Sequence, residues 1–200
     1  MGHASEGFTS LQRGTDPNLP PGQYTTGDFP IMSAGATPVV SQREWEFTVT
    51  TETGEHHDFN FTSLLALGPE DFEVDLHCVT GWSKMGTQWR GVAVEKVFDN
   101  VGETTAEHVL AHCYGGYTTN VPLEDLLDGQ GWMAFEYEGD PLDPEHGGPV
   151  RLLVPHLYLW KSAKWLRGLE LTEQSTPGFW ETLGYHNDGD PWQQQRYWND

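Results

Sequence analysis

Cys78 is the residue of this sequence whose position most suggests chemistry. It is one of only two cysteines in 200 residues, and it lies near the end of the strand-like run DFEVDLHCV, residues 71–79. Phe72, Val74 and Leu76 alternate with polar residues, so Cys78 falls on the inward face, where the chain begins to turn. The turn that follows is rich in Gly, Trp and polar residues rather than in the apolar residues that surround a structural cysteine. The position therefore suits a thiol with a chemical role.

Positive charge is concentrated between residues 145 and 170, in a chain that is otherwise strongly acidic. Positions 146 to 164 hold three of the ten basic side chains, Arg151, Lys161 and Lys164, together with His146. Gly147 and Gly148 allow a close approach of the backbone to a ligand, and Ser162 and Ala163 offer small side chains and backbone amides that suit phosphate oxygens. A charge-assisted hydrogen bond contributes roughly 1.5–3 kcal/mol. The cluster suits an anion site, or else ordinary ion pairs with the abundant Asp and Glu.

The segment CYGGYTTNVPLEDLL, residues 113–127, has two interpretations. Its glycines, aromatic residues and small polar residues precede a helical pattern, which suits a pocket-lining loop or a simple turn with an N-cap. The lysine of a P-loop is missing, so this segment is not a nucleotide phosphate loop.

Histidines near the cysteines raise two further possibilities. His112 lies beside Cys113, but in a strand their side chains point to opposite faces, and no CxxC or HExxH spacing completes a zinc site. A nucleophilic pair, with His77 or His112 serving Cys78, stays open but has no supporting motif. A disulfide between the two cysteines is disfavoured by a reducing compartment, although their spacing allows it.

The elements that must position these residues are short and of mixed type. Strand-like patterns cover residues 44–51, 71–79, 107–114, 131–139 and 150–155. Helical patterns cover residues 61–67, 92–101 and 122–128, with Thr62 or Ser63 able to cap the first and Pro122 suited to the first turn of the third. Long regular helices are missing, which argues against a doubly wound sheet. We therefore predict an α+β fold, a mixed sheet with short helices.

Composition divides the chain into an arm and one domain. Residues 1–27 are poor in aliphatic residues and rich in Gly, Pro, Ser and Thr, which predicts a flexible N-terminal arm, whereas residues 28–200 suit a single domain with a sizeable core. The sequence shows neither an export signal nor a run of about 18 apolar residues, so we expect a cytoplasmic protein that does not span a membrane.

The charge balance is extreme. Thirty acidic residues oppose ten basic ones, of which only four are lysine, and the net charge is −20. Such a surface repels phosphate, so nucleic acid is not a general partner. An ordinary acidic surface would explain the charge, but the scarcity of lysine along the whole chain favours a halophilic protein. In molar salt the Debye length falls to about 3 Å, so the repulsion between the acidic side chains is screened.

Four motifs together resemble one known family. They are HCVTGWSKMGTQWRGV, GGYTTNVPLEDLL, EHGGPVRLLVPHLYLWKSAKWLRGLEL and GFWETLGYHNDGDPW. In this order they resemble the molybdopterin-binding domain of the sulfite oxidase family, in particular its short single-domain prokaryotic branch. The resemblance covers about residues 25 to 198. It implies the mixed α+β catalytic fold of that family and Mo-molybdopterin as the cofactor.

The resemblance also implies roles for individual residues. Cys78 matches the thiolate ligand of molybdenum, and a soft thiolate suits such a metal. His146 and Arg151 match pterin-contacting residues, and the stretch from Ser162 through Ala163 to Lys164 matches the part that meets the cofactor phosphate. Further pterin contacts are implied for four residues: Phe29, Met32, Ser33 and Cys113.

The implied function is oxo transfer to or from a small-molecule donor or acceptor, as sulfite-type oxidation or sulfoxide-type reduction. Electrons would be exchanged with a separate carrier protein or a membrane redox subunit. Two departures from the family pattern argue against sulfite: Phe135 stands where we place the active-site tyrosine by counting, and the segment DFPIMSAG lacks an expected arginine. A non-catalytic molybdopterin-binding or carrier protein is the alternative, and a cysteine hydrolase is a third possibility.

Overall fold

The computed structural model of the protein describes residues 16–200, which form two β-sheets connected by turns and short helices. The described elements are, in chain order, β1 (Tyr24–Thr25), β2 (Glu46–Thr50), β3 (His56–Asn60), α1 (Phe61–Ala66), β4 (Glu70–His77), β5 (Trp82–Ala93), α2 (Val94–Phe98), β6 (His108–Cys113), β7 (Thr118–Pro122), β8 (Trp132–Tyr137), β9 (Asp140–Pro141), β10 (Arg151–Leu153), β11 (Leu166–Thr172) and α3 (Phe179–Thr182). Single 3₁₀ turns lie at Leu123–Leu126 and Pro144–His146. The predicted α+β class is confirmed.

The six-stranded sheet is organised around the long strand β5. One edge of β5 pairs with β4, and the other pairs with β1 and β8, which in turn pairs with β10 and β9. The five-stranded sheet has the order β3-β2-β11-β6-β7 and is antiparallel except for the β2–β11 pair. In this arrangement Cys78, which follows β4, and Arg151, which begins β10, line the same cavity.

Apolar residues from both sheets form the main core. Trp45, Phe47 and Val109 from the five-stranded sheet are buried together with Met133 and Leu152 from the six-stranded one. Each such side chain contributes roughly 1.5–3 kcal/mol when fully buried. The Trp45 indole donates to the Leu166 carbonyl at 2.7 Å, so its polar atom is satisfied inside the core. This core fixes the strands whose ends carry the site.

Most predicted elements are confirmed, but several boundaries were wrong. The predicted helix over residues 92–101 is only Val94–Phe98, and the third predicted helix is a single 3₁₀ turn. Asn60 caps α1, whereas Ser63 is its reciprocal partner, donating from its backbone N–H to Asn60 Oδ1 at 2.9 Å. Asn60 lies just before the helix, where its side-chain oxygen can accept a hydrogen bond from the first turn.

The strand β5 was not expected, because the sequence of this region suggests a glycine-rich turn. Gly91 explains the difference, because a Cβ at this position would lie 2.7 Å from the Met133 carbonyl oxygen. The glycine permits a close approach of β5 to β8, at a register shift between Arg90 and Gly91.

The proposed arm over residues 1–27 lies partly outside the described residues, which begin at 16. Within its described part, β1 pairs in parallel with β5 at Tyr24–Trp82 and Thr25–Ser83, so the sheet begins before residue 28. None of the helices within residues 16–200 has the length and apolar character needed to cross a membrane.

Candidate active site

A cavity of about 390 Å³ lies where five segments of the chain meet beside Arg151, the first residue of β10. These segments are the loop 29–36, the turn 78–82 between β4 and β5, the turn 114–117 between β6 and β7, the stretch 159–165 before β11, and the region 179–185 around α3. Eight of the ten residues expected to bind a metal or cofactor line it: Phe29, Met32, Ser33, Cys78, Arg151, Ser162, Ala163 and Lys164. The fold therefore assembles residues that are far apart in the sequence.

Cys78 is positioned by a tight turn between β4 and β5. Its backbone N–H donates to the Trp82 carbonyl and its carbonyl accepts from Gly81, both at 2.9 Å. Gly81 has φ +101°, a backbone conformation that favours glycine. The Thr80 hydroxyl donates to Cys78 Sγ at 3.1 Å. The sulfur therefore lies at the cavity wall with one hydrogen-bond donor already directed at it.

The two histidines considered as bases for Cys78 are engaged elsewhere. His77 Nδ1 lies 2.8 Å from the Ser83 hydroxyl, and burial lowers the pKa of His77. His112 Nε2 lies 2.9 Å from the Glu170 carboxylate. Both cysteines are free and buried, so no disulfide connects them.

Arg151 is a buried cation held entirely by backbone carbonyls. It begins β10 and is 2% exposed, with Nη1 donating to the His146 carbonyl at 2.8 Å and Nη2 to the Ser162 carbonyl at 2.7 Å. Burial lowers its pKa to about 10. Within residues 16–200 it forms no ion pair with a carboxylate. A buried guanidinium without a counter-ion, at a cavity wall, favours an anionic ligand.

Lys164 adds a second positive charge beside Arg151. Burial and the Arg151 charge lower its pKa to about 8, although Glu145 opposes them. Its ammonium donates to the Glu145 carbonyl oxygen at 2.5 Å and, in the described chain, has no carboxylate in an ion pair. We call Arg151 and Lys164 the cationic pair. Because the two like charges disfavour each other, an anionic ligand at this wall would be favourable to both.

Lys161 does not belong to this site, although the sequence groups it with the other basic residues. Its ammonium forms a fully buried ion pair with Glu181 at 2.7 Å and also donates to Asn120 Oδ1 at 2.9 Å.

Gly147 and Gly148 also have a different role from the expected one. A Cβ at Gly147 would lie 3.0 Å from the Lys164 side chain, and one at Gly148 only 2.0 Å from the Leu142 carbonyl oxygen. Both glycines make room for protein rather than for a ligand.

Two residues expected to contact the pterin do not line the cavity. Cys113 faces the main core from β6, and burial raises the pKa of its thiol to about 12. His146 lies one layer behind the wall, where its ring stacks on Phe29 with centroids 4.1 Å apart. Its Nδ1 is buried without a partner in residues 16–200, and burial, followed by the charges of Lys164 and Arg151, lowers its pKa. His146 therefore supports Phe29 from outside the cavity.

Aromatic side chains that the sequence did not assign to the site form another part of the cavity. Trp180 and Trp160 pack on Tyr185 with ring centroids 5.0 and 5.2 Å away, and we call these three residues the aromatic cluster. Trp82 also lines the cavity, and its buried indole N–H has no hydrogen-bond partner within residues 16–200. The quoted motifs contain these residues, but aromatic residues fill cores as often as they line sites.

Phe135, which counting places at the position of the family's tyrosine, does not line the cavity, whereas Tyr185 does. Phe135 is buried in the main core and packs against Phe61 at 5.5 Å, so no side chain at this position reaches the cavity. Tyr185 does line it, and its pKa is raised by burial and then by nearby Tyr197 and Cys78. The cavity is built from segments after β11 as well as before it, so a tyrosine far from Phe135 in the sequence reaches it.

Comparisons with known proteins agree with this architecture. The profile of the family described as "Oxidoreductase molybdopterin binding domain" matches residues 34–180. The chain is 41% identical over 181 residues to "Uncharacterized oxidoreductase YuiH" of Bacillus subtilis, covering 90% of this chain and 91% of that protein. It is 29% identical over 149 residues to "Putative protein-methionine-sulfoxide reductase subunit YedZ1" of Azospira oryzae, 74% of this chain and 56% of that one.

The fold has a match among solved structures. The sulfane dehydrogenase SoxCD of Paracoccus pantotrophus superposes with a TM-score of 0.62 at 18% identity, over 69% of this chain and 40% of that one. The family is one of oxidoreductases, which contradicts the cysteine-hydrolase possibility. The resemblance found in the sequence is confirmed. This chain belongs to the molybdopterin-binding oxidoreductases of the sulfite oxidase type, whose cofactor is Mo-molybdopterin.

Proposed function

We propose that this protein reduces neutral sulfoxides to thioethers, with Cys78 as the thiolate ligand of molybdenum and the cationic pair holding the cofactor phosphate. The observation that carries the proposal is the distribution of charge in the cavity. Within the described chain, Arg151 and Lys164 are its only cationic lining residues, and no carboxylate lines it. Arg151 and Lys164 would both be engaged by the cofactor phosphate, which would leave no cationic lining residue for an anionic substrate.

The chain fits the cofactor at several independent points. Arg151 and Lys164 lack carboxylate partners in residues 16–200, and the unpartnered Trp82 indole N–H offers one more donor at the same wall. Ser162 and Ala163 precede Lys164 in the cavity lining, and the Ser162 carbonyl accepts from Arg151 Nη2. Molybdopterin supplies, when bound, a metal that exchanges an oxygen atom and two electrons with the substrate.

Cys78 suits the metal because its sulfur is at the cavity wall and already accepts a hydrogen bond from Thr80. Such a contact orients a thiolate ligand and tunes its electron donation. Phe29, supported by the stacked His146, provides a flat surface for the pterin. Met32 and Ser33 lie on the exposed part of the same loop, at the cavity rim.

The aromatic cluster suits a neutral substrate better than a small oxyanion. Sulfite carries negative charge at neutral pH and would approach aromatic faces, whose quadrupole is negative, in a protein with a net charge of −20. A sulfoxide is neutral, packs its apolar groups on aromatic rings and presents one oxygen as an acceptor. Tyr185 stays protonated, because burial raises its pKa, and can donate to that oxygen. The name of the YedZ1 relative refers to a methionine sulfoxide reductase.

The overall reaction takes up two electrons and two protons, breaks the sulfur–oxygen bond and releases a thioether and water. The electrons come from a separate one-electron carrier. To test the proposal, the protein is produced in a host that makes the cofactor, its molybdenum and tungsten contents are measured, and oxidation of reduced methyl viologen is followed with a panel of sulfoxides. Sulfite is assayed with an oxidised dye.

We expect one metal per chain and turnover with uncharged sulfoxides. A higher kcat/KM for sulfite than for every sulfoxide would overturn the substrate assignment. A metal-loaded protein without turnover of either class would support the alternative of a non-catalytic molybdopterin-binding or carrier protein.

We also propose that the protein works in the cytoplasm of a cell with high internal salt. Two free cysteines suit a reducing compartment. The charge of −20 with only four lysines suits a solvent in which self-repulsion is screened.

A further inference from the structure

The C-terminal segment carries an exposed apolar patch. Trp198 is 77% exposed, Leu183 62% and Tyr197 50%. Two contacts bring them together: the Trp198 N–H donates to the Gly184 carbonyl at 3.1 Å, and Tyr197 pairs with Tyr185 in an isolated β-bridge. We call Leu183, Tyr197 and Trp198 the C-terminal patch. Large apolar side chains exposed side by side mark an interaction surface more often than single ones do.

The patch lies directly behind the aromatic cluster of the cavity. Tyr185 lines the cavity, and its ring lies 5.4 Å, centroid to centroid, from the ring of half-exposed Tyr197. Trp180, also at the cavity, lies 5.0 Å from Tyr185. A protein seated on the patch is therefore separated from the cavity by little more than two aromatic rings.

The surroundings of the patch are negatively charged. Residues 179–200 contain one basic residue, Arg196, and four carboxylates, of which Glu181 is buried in its ion pair with Lys161 and the other three are aspartates. Asp200 is held beside the patch by accepting the Tyr197 N–H at 2.7 Å, and Asp188 is exposed nearby in the chain. The Arg196 guanidinium faces inward, 5.5 Å from the Tyr158 ring centroid, and donates to the Pro21 carbonyl at 3.2 Å. The patch thus has an apolar centre and an acidic rim.

We propose that the C-terminal patch docks a one-electron carrier protein whose redox centre opens at an apolar surface ringed by Lys and Arg. The inference rests on the proposed function, which requires an external source of two electrons per turnover. The carrier delivers them one at a time, each carrier losing one electron, while water supplies the protons. Complementary charge raises the association rate, and small interfaces are typical of electron-transfer pairs. A second copy of this chain is a poor occupant, because its own patch would bring the carboxylate of Asp200 against that of the first copy, and like charges in contact are unfavourable.

The test measures docking and electron transfer separately. Calorimetric titration with an oxidised basic c-type cytochrome measures binding whether or not the metal is loaded. Stopped-flow mixing of the dithionite-reduced holoenzyme, freed of excess dithionite, with the same cytochrome measures the second-order rate of electron transfer. The patch variant is Leu183→Ser with Trp198→Ser. The matched control is Val39→Ser, since Val39 is 99% exposed on another segment.

We expect the patch variant to weaken binding and slow electron transfer by about tenfold or more, whereas Val39→Ser leaves both unchanged. The reaction with a small dye should be equal in all three proteins. Rising ionic strength should slow the cytochrome reaction, and an acidic flavodoxin should react more slowly than the cytochrome. Wild-type binding and rates in the patch variant, or a faster reaction with flavodoxin, would overturn the proposal. If the protein contains no metal and does not react with the dye, but still binds cytochrome through the patch, that result would instead overturn the proposed function.

Discussion

Lys164 provides a test of the cofactor site that does not depend on turnover. Its pKa of about 8 in the folded protein, set mainly by burial and then by Arg151, means that the free site loses this charge as the pH rises through 8. Lys164→Arg keeps its charge over the same range, because the pKa of arginine exceeds about 12. Lys164→Gln has no charge at any pH. Cofactor affinity should therefore fall with rising pH more in the wild type than in either variant, in which only Arg151, with its pKa of about 10, loses charge in this range.

The magnitude follows from the value of one hydrogen bond. A charge-assisted hydrogen bond to a phosphate oxygen contributes roughly 1.5–3 kcal/mol, or about 10- to 150-fold in Kd. By linkage, the bound phosphate raises the pKa of Lys164 by about one to two units. The Kd should rise from about pH 8, by at most about tenfold per unit, and level off at roughly pH 9 to 10.

The same shift has a defined sign for stability without ligand. Below about pH 8, Lys164 is protonated in both the folded and the unfolded chain, and its lowered pKa then disfavours the folded state. Between pH 8 and the ordinary value of 10.5 the unfolded chain binds more protons than the folded one. The contribution of this group to the free energy of unfolding therefore rises with pH in that interval.

Tryptophan fluorescence offers the assay, because Trp82, Trp160 and Trp165 line the cavity. Apo-protein from a host without cofactor synthesis is titrated with purified molybdopterin at pH values from about 7 to about 10. We expect the wild type to approach Lys164→Arg at the low end and Lys164→Gln at the high end. A Kd of the wild type that does not change with pH, or an equal change in Lys164→Arg, would refute the reasoning.

Three further outcomes are expected. Cys78→Ser should abolish turnover and shift the paramagnetic signal of the metal while Cys113→Ser leaves both close to wild type, because only Cys78 reaches the cavity; unchanged turnover in Cys78→Ser would contradict the ligand role. Lys161→Met should lower the free energy of unfolding in urea by about 3–5 kcal/mol, since it leaves Glu181 buried and unpaired. Combining Lys161→Met with Glu181→Leu should recover most of that loss. An exposed ion pair contributes less than about 1 kcal/mol, so a loss that small would mean that the pair is not buried in solution. The melting temperature should be higher in molar potassium chloride than in dilute buffer, because salt screens the charge excess, and a melting temperature that does not rise would argue against a halophilic protein.

Local pattern was sufficient for much of the fold. Alternation of apolar residues identified the strands that became β2, β4, β6 and β8, because side-chain direction in a strand depends only on position. The same rule failed for β5, where Gly86 and Gly91 interrupt the pattern. Position 91 requires glycine because the backbone of β8 lies too close to leave room for a Cβ, and this closeness depends on two strands that are far apart in the sequence. Propensity describes one segment, whereas pairing depends on its neighbours.

For the site, the sequence by itself determined the unusual setting of Cys78, the excess of positive charge between residues 145 and 170, and, through four ordered motifs, the family. Only the tertiary structure distinguished Lys161 from Lys164, two lysines three residues apart. One is neutralised by Glu181, which arrives from α3, and the other remains without a carboxylate in an ion pair within the described chain. It likewise placed Tyr185, and not Phe135, in the wall of the cavity that Cys78 lines. Residue type fixes the charge or hydroxyl that a side chain carries, but its partner is set by which distant segments pack together, and that partner decides whether the group stabilises the fold or serves the site.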